Sequence, residues 1–359
     1  MVEVRTEHIT KTYGKKVALN DINITVKDGT LACFLGPSGS GKTTLLRIIA
    51  GLIEPTQGRV FFDNVDVTNL PAWRRNVGFV PQSITLFPHL TVYENIAFGL
   101  KAKKVPREEM DRRIKEMLKL IRLEGYENRK ATELSGGEAQ RVAIARALVI
   151  NPSVLLFDEP LGHLDAKLRD ELKFEIRRIQ RETGTTGIYV THDQAEAFAI
   201  ADYIYVINKG KVEQEGTPYD LYENPVSPFI AEFIGSVNFL KGTIISVSKD
   251  TMNAKVKAKD LEIKVQVPES IEAGKEVLVG IRPENIKVML HLPSEKEENT
   301  YVGTVNRKIF LGSSILLEIE AGNQILKSII YGDEKYKFLD INPGTQVYIT
   351  LRRAFVFTR

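Results

Sequence analysis

Short runs of consecutive apolar residues recur along the first two thirds of the chain. Residues 31–35 read LACFL, residues 154–157 read VLLF and residues 203–207 read YIYVI. Continuous apolar runs of this length are typical of parallel strands that are buried on both faces. Directly after a glycine-rich turn, residues 45–52 place leucines and isoleucines at helical spacing. The pattern therefore predicts an α/β core built around a parallel sheet.

The stretch from about residue 84 to residue 150 is helical and charged in character, unlike the strands on either side of it. We predict that it forms a helical subdomain inserted into the α/β core. Within it, Ser135 can cap a helix, and Glu138 stands three residues further on, where it can complete a capping box. A helix is therefore predicted to begin here and to continue through the apolar residues Val142 and Leu148.

Beyond residue 235 the pattern changes to short strands without helical periodicity. Two stretches of this region align with each other, since residues 274–282 read GKEVLVGIR and residues 344–352 read GTQVYITLR. Such self-similarity predicts two copies of one small β unit, and a five-stranded OB barrel is a natural candidate for it. The predicted domains are residues 1–235 and residues 236–359.

Composition narrows the class of protein. With 359 residues the chain is too long for a single typical core, which agrees with the division into domains. Its 49 basic and 46 acidic residues give a formal charge of +3, so nothing in the charge predicts a nucleic-acid partner. The single cysteine, Cys33, lies inside an apolar run, where a small buried side chain is expected. A charged N-terminus and the lack of long apolar stretches predict a chain that does not span a membrane.

The glycine-rich turn between the first buried strand and the following helix matches G-x-x-x-x-G-K-[ST], a pattern that binds nucleotide phosphates. Its backbone N–H groups and the N-terminus of the helix attract an anion. Lys42 would place a charge near the β- and γ-phosphates, and the Thr43 hydroxyl can bind Mg²⁺. The predicted phosphate-binding residues are Gly36, Pro37, Ser38, Gly39, Ser40, Gly41, Lys42, Thr43 and Thr44.

Two neighbouring carboxylates, Asp158 and Glu159, end the apolar run that starts at residue 154. One of them can hold Mg²⁺ through water, and the other can accept a proton from an attacking water molecule. Upstream, residues 134–141 read LSGGEAQR, so that two glycines stand at the positive end of the helix predicted to begin at Ser135.

With these motifs in this order, residues 1 to about 235 resemble the ATP-binding-cassette ATPases. The resemblance implies that each ATP is closed between the phosphate-binding loop of one subunit and the signature of another. It gives these residues the following roles: Tyr13 stacking on adenine, Gln82 sensing Mg²⁺ and the membrane partner, Ser135, Gly136 and Gly137 in the signature, Asp158 as the Walker B acid, Glu159 as the catalytic base, Asp165 in the D-loop and His192 at the γ-phosphate. Thr43, Gln82 and Asp158 would hold the metal. From the residues alone, packing of Tyr13 against the first sheet is the lesser alternative.

The region after residue 235 is similar to the paired transport-associated OB repeats that follow the cassette in one group of importer ATPases. The resemblance therefore implies the ATPase subunit of a binding-protein-dependent importer, using ATP and Mg²⁺ at the cytoplasmic face of the membrane. Its expected partners are a second copy of the chain, transmembrane permease subunits and an extracytoplasmic solute-binding protein, with no nucleic acid. Leu86 and Phe87 either meet a helix of the permease or belong to the core of the helical subdomain.

The solute can be inferred only from short stretches of sequence that resemble particular groups of importer ATPases. Residues 86–92, which read LFPHLTV, and residues 233–239, which read FIGSVNF, look closer to importers of polyamine, ferric iron or sulfate than to the sugar branch. An ion or a polyamine is therefore expected, and a sugar importer stays open. The alternative from another functional class is a soluble ATPase of the same family that acts on nucleic acid or ribosomes.

Overall fold

The computed structural model describes residues 2–248, 252–267, 271–292 and 297–358. The chain divides into two compact units, Met1–Asp220 and Leu221–Arg359. The strands of the first unit are β1 (Val4–Tyr13), β2 (Lys16–Val26), β3 (Leu31–Leu35), β4 (Gln57–Phe62), β5 (Val65–Asp66), β6 (Val77–Val80), β7 (Val154–Asp158), β8 (Thr186–Thr191), β9 (Tyr203–Asn208) and β10 (Lys211–Gly216). Its helices are α1 (Lys42–Ala50), α2 (Val92–Ala102), α3 (Arg107–Leu120), α4 (Gly136–Leu148), α5 (Ala166–Thr183) and α6 (Gln194–Ile200), and α7 (Pro218–Glu223) runs across the division. The predicted boundary near residue 235 stays a prediction.

A six-stranded sheet with the order β10-β9-β3-β8-β7-β6 forms the centre of the first unit. All neighbouring strands in it are parallel except β10, which pairs antiparallel with β9. The central strands β3, β7 and β8 are buried along their whole length, as their continuous apolar sequences predict. Cys33 lies in β3, and burial raises the pKa of its thiol. The predicted α/β core is confirmed.

A second, antiparallel sheet with the order β2-β1-β4-β5 packs against this core. The hydroxyl of Tyr205 in β9 donates to the Thr25 carbonyl oxygen of β2 at 2.7 Å. The same ring meets Phe34 of β3 edge to face, with 5.9 Å between the ring centroids. Tyr205 thus joins both sheets, since its ring fills the shared core while its hydroxyl satisfies a strand carbonyl.

Helices α2, α3 and α4 make up the inserted helical subdomain that the sequence predicts. Helix α2 begins with a capping box in which Thr91 accepts from the Glu94 backbone N–H and the Glu94 carboxylate accepts from that of Thr91. Helix α4 begins with the predicted capping box of Ser135 and Glu138. Each box satisfies backbone N–H groups that the first turn of a helix would otherwise leave without partners.

The second unit is mostly β-structure. It contains α8 (Pro228–Ile234) and the strands β11 (Asn238–Ser248), β12 (Asn253–Ala258), β13 (Leu261–Gln266), β14 (Glu276–Ile281), β15 (Ile286–Met289), β16 (Thr300–Phe310), β17 (Ser314–Ala321), β18 (Gln324–Tyr331), β19 (Gln346–Leu351) and β20 (Phe355–Thr358). They form two five-stranded antiparallel sheets with the orders β13-β12-β11-β14-β20 and β15-β19-β16-β17-β18. The predicted all-β region of two OB-like units is confirmed.

The internal repeat is visible in the strand register. Gly242 of β11 pairs with Val277 of β14, and Gly303 of β16 pairs with Val347 of β19. An irregularity in register follows at the same distance in both copies, after Ile244 and after Val305. The two stretches that align in sequence therefore occupy equivalent positions, in β14 and β19.

The two repeats also exchange a strand. β15 follows the first repeat in the chain but pairs with β19 of the second, while the C-terminal β20 pairs with β14 of the first. One continuous apolar core extends through both sheets, from Leu240 in β11 to Leu351 in β19. The two β repeats are consequently interlocked and share one core.

Candidate functional site

The predicted phosphate-binding loop joins the end of β3 to the start of α1, as the motif requires. Gly41, with φ at +109°, stands immediately before Lys42. A Cβ atom at Gly36 would come within 2.0 Å of the Ile207 carbonyl oxygen, and one at Gly41 within 2.7 Å of the Ala18 carbonyl oxygen. Both positions therefore need glycine, and the close packing fixes the backbone of the loop as an anion-binding loop requires.

Lys42 is buried, and its Nζ donates to the carbonyl oxygens of Gly36 at 2.8 Å and Pro37 at 3.0 Å. Burial lowers the pKa of the ammonium group, while the negative charges of Glu159 and Asp158 act in the opposite direction. The cation is thus held inside the loop by neutral carbonyl groups. A phosphate group would be a stronger partner for it than these carbonyls are.

Thr43 and Asp158, both predicted to hold the metal, are in direct contact. The Thr43 hydroxyl donates to Asp158 Oδ1 at 2.8 Å, and the Arg47 guanidinium lies 3.5 Å from Asp158 Oδ2. Within the described ranges no group of three His, Cys, Asp or Glu side chains is arranged to hold a metal. A hydroxyl and one carboxylate nevertheless fit Mg²⁺, which usually takes one or two protein oxygens together with waters and substrate phosphates.

Glu159 and His192 meet at the ends of the neighbouring strands β7 and β8. His192 Nδ1 lies 3.2 Å from Glu159 Oε2, and the Glu159 backbone N–H donates to the Val190 carbonyl oxygen at 3.1 Å. Glu159 has a φ of +45°, which is uncommon for a residue with a side chain and costs on the order of 1–3 kcal/mol. Residues held in this conformation cluster at functional sites.

Two of the predicted residues lie on more exposed parts of the first unit. Tyr13 ends β1 and is 49% exposed, with the Lys11 ammonium 5.2 Å from the centre of its ring. Gln82 is exposed and follows β6, which pairs with β7 up to Val80 and Phe157. The half-exposed ring of Tyr13 is open to a further contact, and Gln82 stands near the strand end that carries Asp158.

The signature and D-loop residues form a second, exposed group. Ser135 caps α4 and Asp165 caps α5, where it accepts from the Leu168 backbone N–H at 3.1 Å. The side chains of Leu164 and Leu168 face Gly136 and Gly137, and a Cβ at Gly137 would lie 2.7 Å from Leu168. Ser135, Gly136 and Asp165 are exposed, so two adjacent helix N-termini point outward from one surface.

Sequence reasoning did not find a buried carboxylate beside His192. Glu196 is 5% exposed, and its Oε2 accepts from the hydroxyls of Tyr189 at 3.0 Å and Thr191 at 2.8 Å. Burial raises its pKa, while those two hydrogen bonds lower it. The pattern D-x-x-E at Asp193 to Glu196 is a helix-start signal and could have placed both residues, since Asp193 caps α6.

The segment after Gln82 is attached to the helical subdomain. The Asn95 side chain accepts from the Phe87 backbone N–H at 2.8 Å, and Arg146 of α4 donates to the Thr85 carbonyl oxygen at 2.8 Å. Phe87 is half-buried and contacts Phe98, which is 51% exposed, with 4.6 Å between the ring centroids and the ring planes tilted by 38°. An apolar surface formed by Phe87 and Phe98 therefore remains in contact with solvent.

Comparison with known proteins gives two matching families. The sequence profile described as ABC transporter matches residues 19–162, which include the phosphate-binding loop, the signature and the strand β7. The profile described as TOBE domain matches residues 279–357 in the second unit.

Similar proteins extend over nearly the whole chain. The spermidine/putrescine import ATP-binding protein PotA of Haemophilus influenzae is 39% identical over 353 residues, which cover 98% of this chain and 94% of the relative. The sulfate/thiosulfate import ATP-binding protein CysA of Synechocystis sp. is 42% identical over 350 residues, with the same coverage. Among solved structures, a dimeric ATP-binding cassette in a post-hydrolysis state with ADP and phosphate is 38% identical. It covers 60% of this chain and 98% of its own, with a TM-score of 0.53.

Proposed function

Because this chain belongs to the import ATPases of the ATP-binding-cassette family, we propose that its ATP hydrolysis works through a homodimer that closes on ATP and opens after hydrolysis. The observation that carries the proposal is the pair of Glu159 and His192 at the ends of β7 and β8, beside the contact between Thr43 and Asp158. A proton acceptor and a set of oxygen ligands thereby stand together next to a phosphate-binding loop.

Each residue of this group has a distinct proposed role. Glu159 orients the attacking water and accepts its proton, while His192 holds the carboxylate and reaches the γ-phosphate. Lys42 leaves its carbonyl partners and binds phosphate oxygens. Thr43, Gln82 and Asp158 would hold Mg²⁺. When bound, the ion neutralises charge on the phosphate oxygens.

The proposed dimer rests on the number of nucleotide-binding motifs in one chain. It carries one phosphate-binding loop and one signature, and the signature group with Ser135 and Asp165 is exposed. We infer that this exposed group faces the phosphate-binding loop of a second copy, so that each ATP lies between two subunits. The N-terminus of α4, with the backbone N–H groups of Gly136 and Gly137, would then meet the phosphates only when the dimer closes. The solved relative with ADP and phosphate is itself dimeric.

We propose that the permease docks on the surface formed by Phe87 and Phe98. The segment that carries Phe87 begins at Gln82, near the metal-holding residues, and it is fixed to α4 by Arg146. Contact with the permease could therefore be sensed at the ATP site along a short stretch of chain. No helix in the described part of the chain is long and apolar enough to cross a membrane. From its similarity to import ATP-binding proteins, we propose that the protein works at the cytoplasmic face of the membrane, attached through its permease.

For the solute we propose an ion or a polyamine, received from an extracytoplasmic binding protein. Relatives of nearly equal similarity carry the names of a polyamine importer and of a sulfate importer, so a sugar is the less supported alternative. The formal charge of +3 gives no reason to expect a nucleic-acid partner. Identifying the binding protein that co-purifies with the assembled complex, and titrating it with spermidine, sulfate and maltose, would test the solute class.

The mechanism is tested by Glu159→Gln, which keeps the size of the side chain but cannot accept a proton from water. We expect ATP binding to remain and turnover to fall by about three orders of magnitude or more, since general acid–base catalysis and the positioning of water are both lost. Adding Mg-ATP should convert this variant to a compact dimer in gel filtration and small-angle scattering. Normal hydrolysis would exclude Glu159 as the base, and failure to compact would exclude the shared-site dimer.

A further inference from the structure

Arg169 connects two segments that serve different parts of the proposed site. It lies in the first turn of α5, four residues after Asp165, and its Nη2 donates to the carbonyl oxygen of Leu164, the D-loop residue next to Asp165, at 2.9 Å. Its Nη1 lies 3.8 Å from Asp193 Oδ2, and its Nε lies 3.7 Å from Glu196 Oε1. One guanidinium group therefore bridges the D-loop and the start of α6.

The two carboxylates that face Arg169 control the backbone around His192. Asp193 follows His192 directly and caps α6 by accepting from the Glu196 backbone N–H at 3.1 Å. Glu196 accepts from the Thr191 hydroxyl at 2.8 Å, and that hydroxyl in turn accepts from the Asp193 backbone N–H at 2.9 Å. His192 is thus held between Thr191, whose hydroxyl is bonded to Glu196, and Asp193, which itself faces Arg169.

The environment of Arg169 favours a fixed geometry. Its side chain is 31% exposed and that of Glu196 is 6% exposed, so the pair is largely removed from water. A guanidinium group is planar and rigid, with donors at fixed angles, and it cannot follow one partner without moving relative to the others. Its contacts with Asp193 and Glu196, at 3.8 and 3.7 Å, are charge contacts and not hydrogen bonds, so a shift of Leu164 would change their lengths through the guanidinium group.

We propose that Arg169 is a positioning residue that couples the D-loop to His192, so that the geometry of one ATP site depends on the state of the other. The inference rests on the shared-site dimer proposed above, in which Asp165 faces the partner's ATP while His192 faces the ATP of its own chain. ATP bound on one side would hold the D-loop, and Arg169 would transfer that position to His192 on the other side.

The test uses the full chain with Arg169→Gln, Arg169→Lys and, as a matched control, Arg178→Gln. Arg178 lies on the same helix and also pairs with two carboxylates, but these, Glu175 and Glu182, belong to α5 itself and not to α6. For each protein, ATP affinity is measured with a fluorescent ATP analogue. The turnover number and the Hill coefficient are measured from the ATP dependence of phosphate release.

We expect wild type to show a Hill coefficient above one. Arg169→Gln should bind ATP normally, lose about tenfold in kcat, which corresponds to about 1.4 kcal/mol, and fall to a Hill coefficient of about one. Arg169→Lys should be intermediate, because an ammonium group keeps the charge but not the fork of donors. Arg178→Gln should match wild type in kcat and Hill coefficient, because its carboxylate partners lie on α5 itself. Equal losses in both variants would instead indicate that arginines on this helix only stabilise the fold.

Unchanged kcat and Hill coefficient in Arg169→Gln would overturn the inference, as would equal losses in Arg178→Gln. A fall in kcat with a preserved Hill coefficient would show that Arg169 acts only on the ATP site of its own chain. That result would also overturn the proposed coupling. If Arg169→Gln did not fold, wild-type kcat and Hill coefficient in Arg169→Lys would overturn the inference instead. The dimer itself is judged separately, because failure of Glu159→Gln alone to compact with Mg-ATP refutes the proposed function without involving Arg169.

Discussion

Lys42 is held inside the phosphate-binding loop by two carbonyl oxygens, in a buried position that lowers its pKa. Replacing it with alanine removes the cation and leaves the phosphates to the N–H dipoles of the loop. We expect Lys42→Ala to abolish hydrolysis and to weaken Mg-ATP binding by at least about tenfold, since hydrogen bonds to charged groups contribute about 1.5–3 kcal/mol. Isothermal titration and phosphate release measure both effects. Lys115→Ala, an exposed lysine on α3, is the control, and near-normal turnover in Lys42→Ala would exclude the assigned role.

Tyr13 stands at the end of β1 with about half of its surface exposed. If its ring stacks on adenine, Tyr13→Ala should raise the apparent KM for ATP about tenfold, because stacking on a base contributes about 1–3 kcal/mol. The kcat value should change little, since a ring that stacks on the base does not take part in the reaction at the γ-phosphate. Tyr13→Phe keeps the aromatic face and should behave as wild type. Equal KM values for all three proteins would return Tyr13 to a packing role against the first sheet.

The residues of the site differ in how far the sequence could predict them. The phosphate-binding loop and the pair at Asp158 and Glu159 are local motifs whose spacing carries their chemistry. Arg169 and Glu196 have no such motif between them, and their proximity arises because α5 and α6 contact each other in the fold. A contact between distant residues of this kind depends on the tertiary fold, which single-sequence patterns do not determine.

At the level of elements, the same limit applies to the second unit. The aligned stretches at 274–282 and 344–352 were sufficient to predict two equivalent β units, because strand length and turn residues are encoded locally. Which strand completes each sheet is not encoded locally, and the exchange of β15 and β20 was not predicted. Either pairing satisfies the same alternation of buried and exposed residues, so the choice depends on packing between the repeats.

The strand exchange makes a prediction that a pair of independent repeats would not make. Phe357 of β20 is 8% exposed and contacts Phe239, with 6.4 Å between the ring centroids. We expect Phe357→Ala to lower the free energy of unfolding by about 3 kcal/mol in a urea titration that follows the second unit. Hydrogen exchange should rise in β11 and β14 of the first repeat. Tyr336→Ala, at an exposed position, is the control, and faster exchange confined to β19 would contradict the observed pairing.

At the scale of the whole molecule, the central question is whether each ATP site uses one chain or two. Lys42→Ala damages the phosphate-binding loop, and Ser135→Arg places a bulky cation at the exposed start of α4. If the sites are shared, a mixed dimer of these two variants contains one site built from two intact halves and one site with both halves damaged. If each site lay within one chain, both sites of the mixed dimer would be damaged.

The experiment introduces Glu159→Gln into both variants, so that bound ATP is retained, and tags the two chains differently so that mixed dimers can be isolated. We expect about one ATP to be retained per mixed dimer and almost none by either variant alone, because only the mixed dimer joins an intact loop to an intact helix N-terminus. Radiolabelled ATP retained after rapid gel filtration gives the ratio. The control is Glu159→Gln alone, which should retain about two per dimer. Retention by the Ser135→Arg variant alone, or none by the mixed dimer, would show that the signature of one chain does not complete the ATP site of the other.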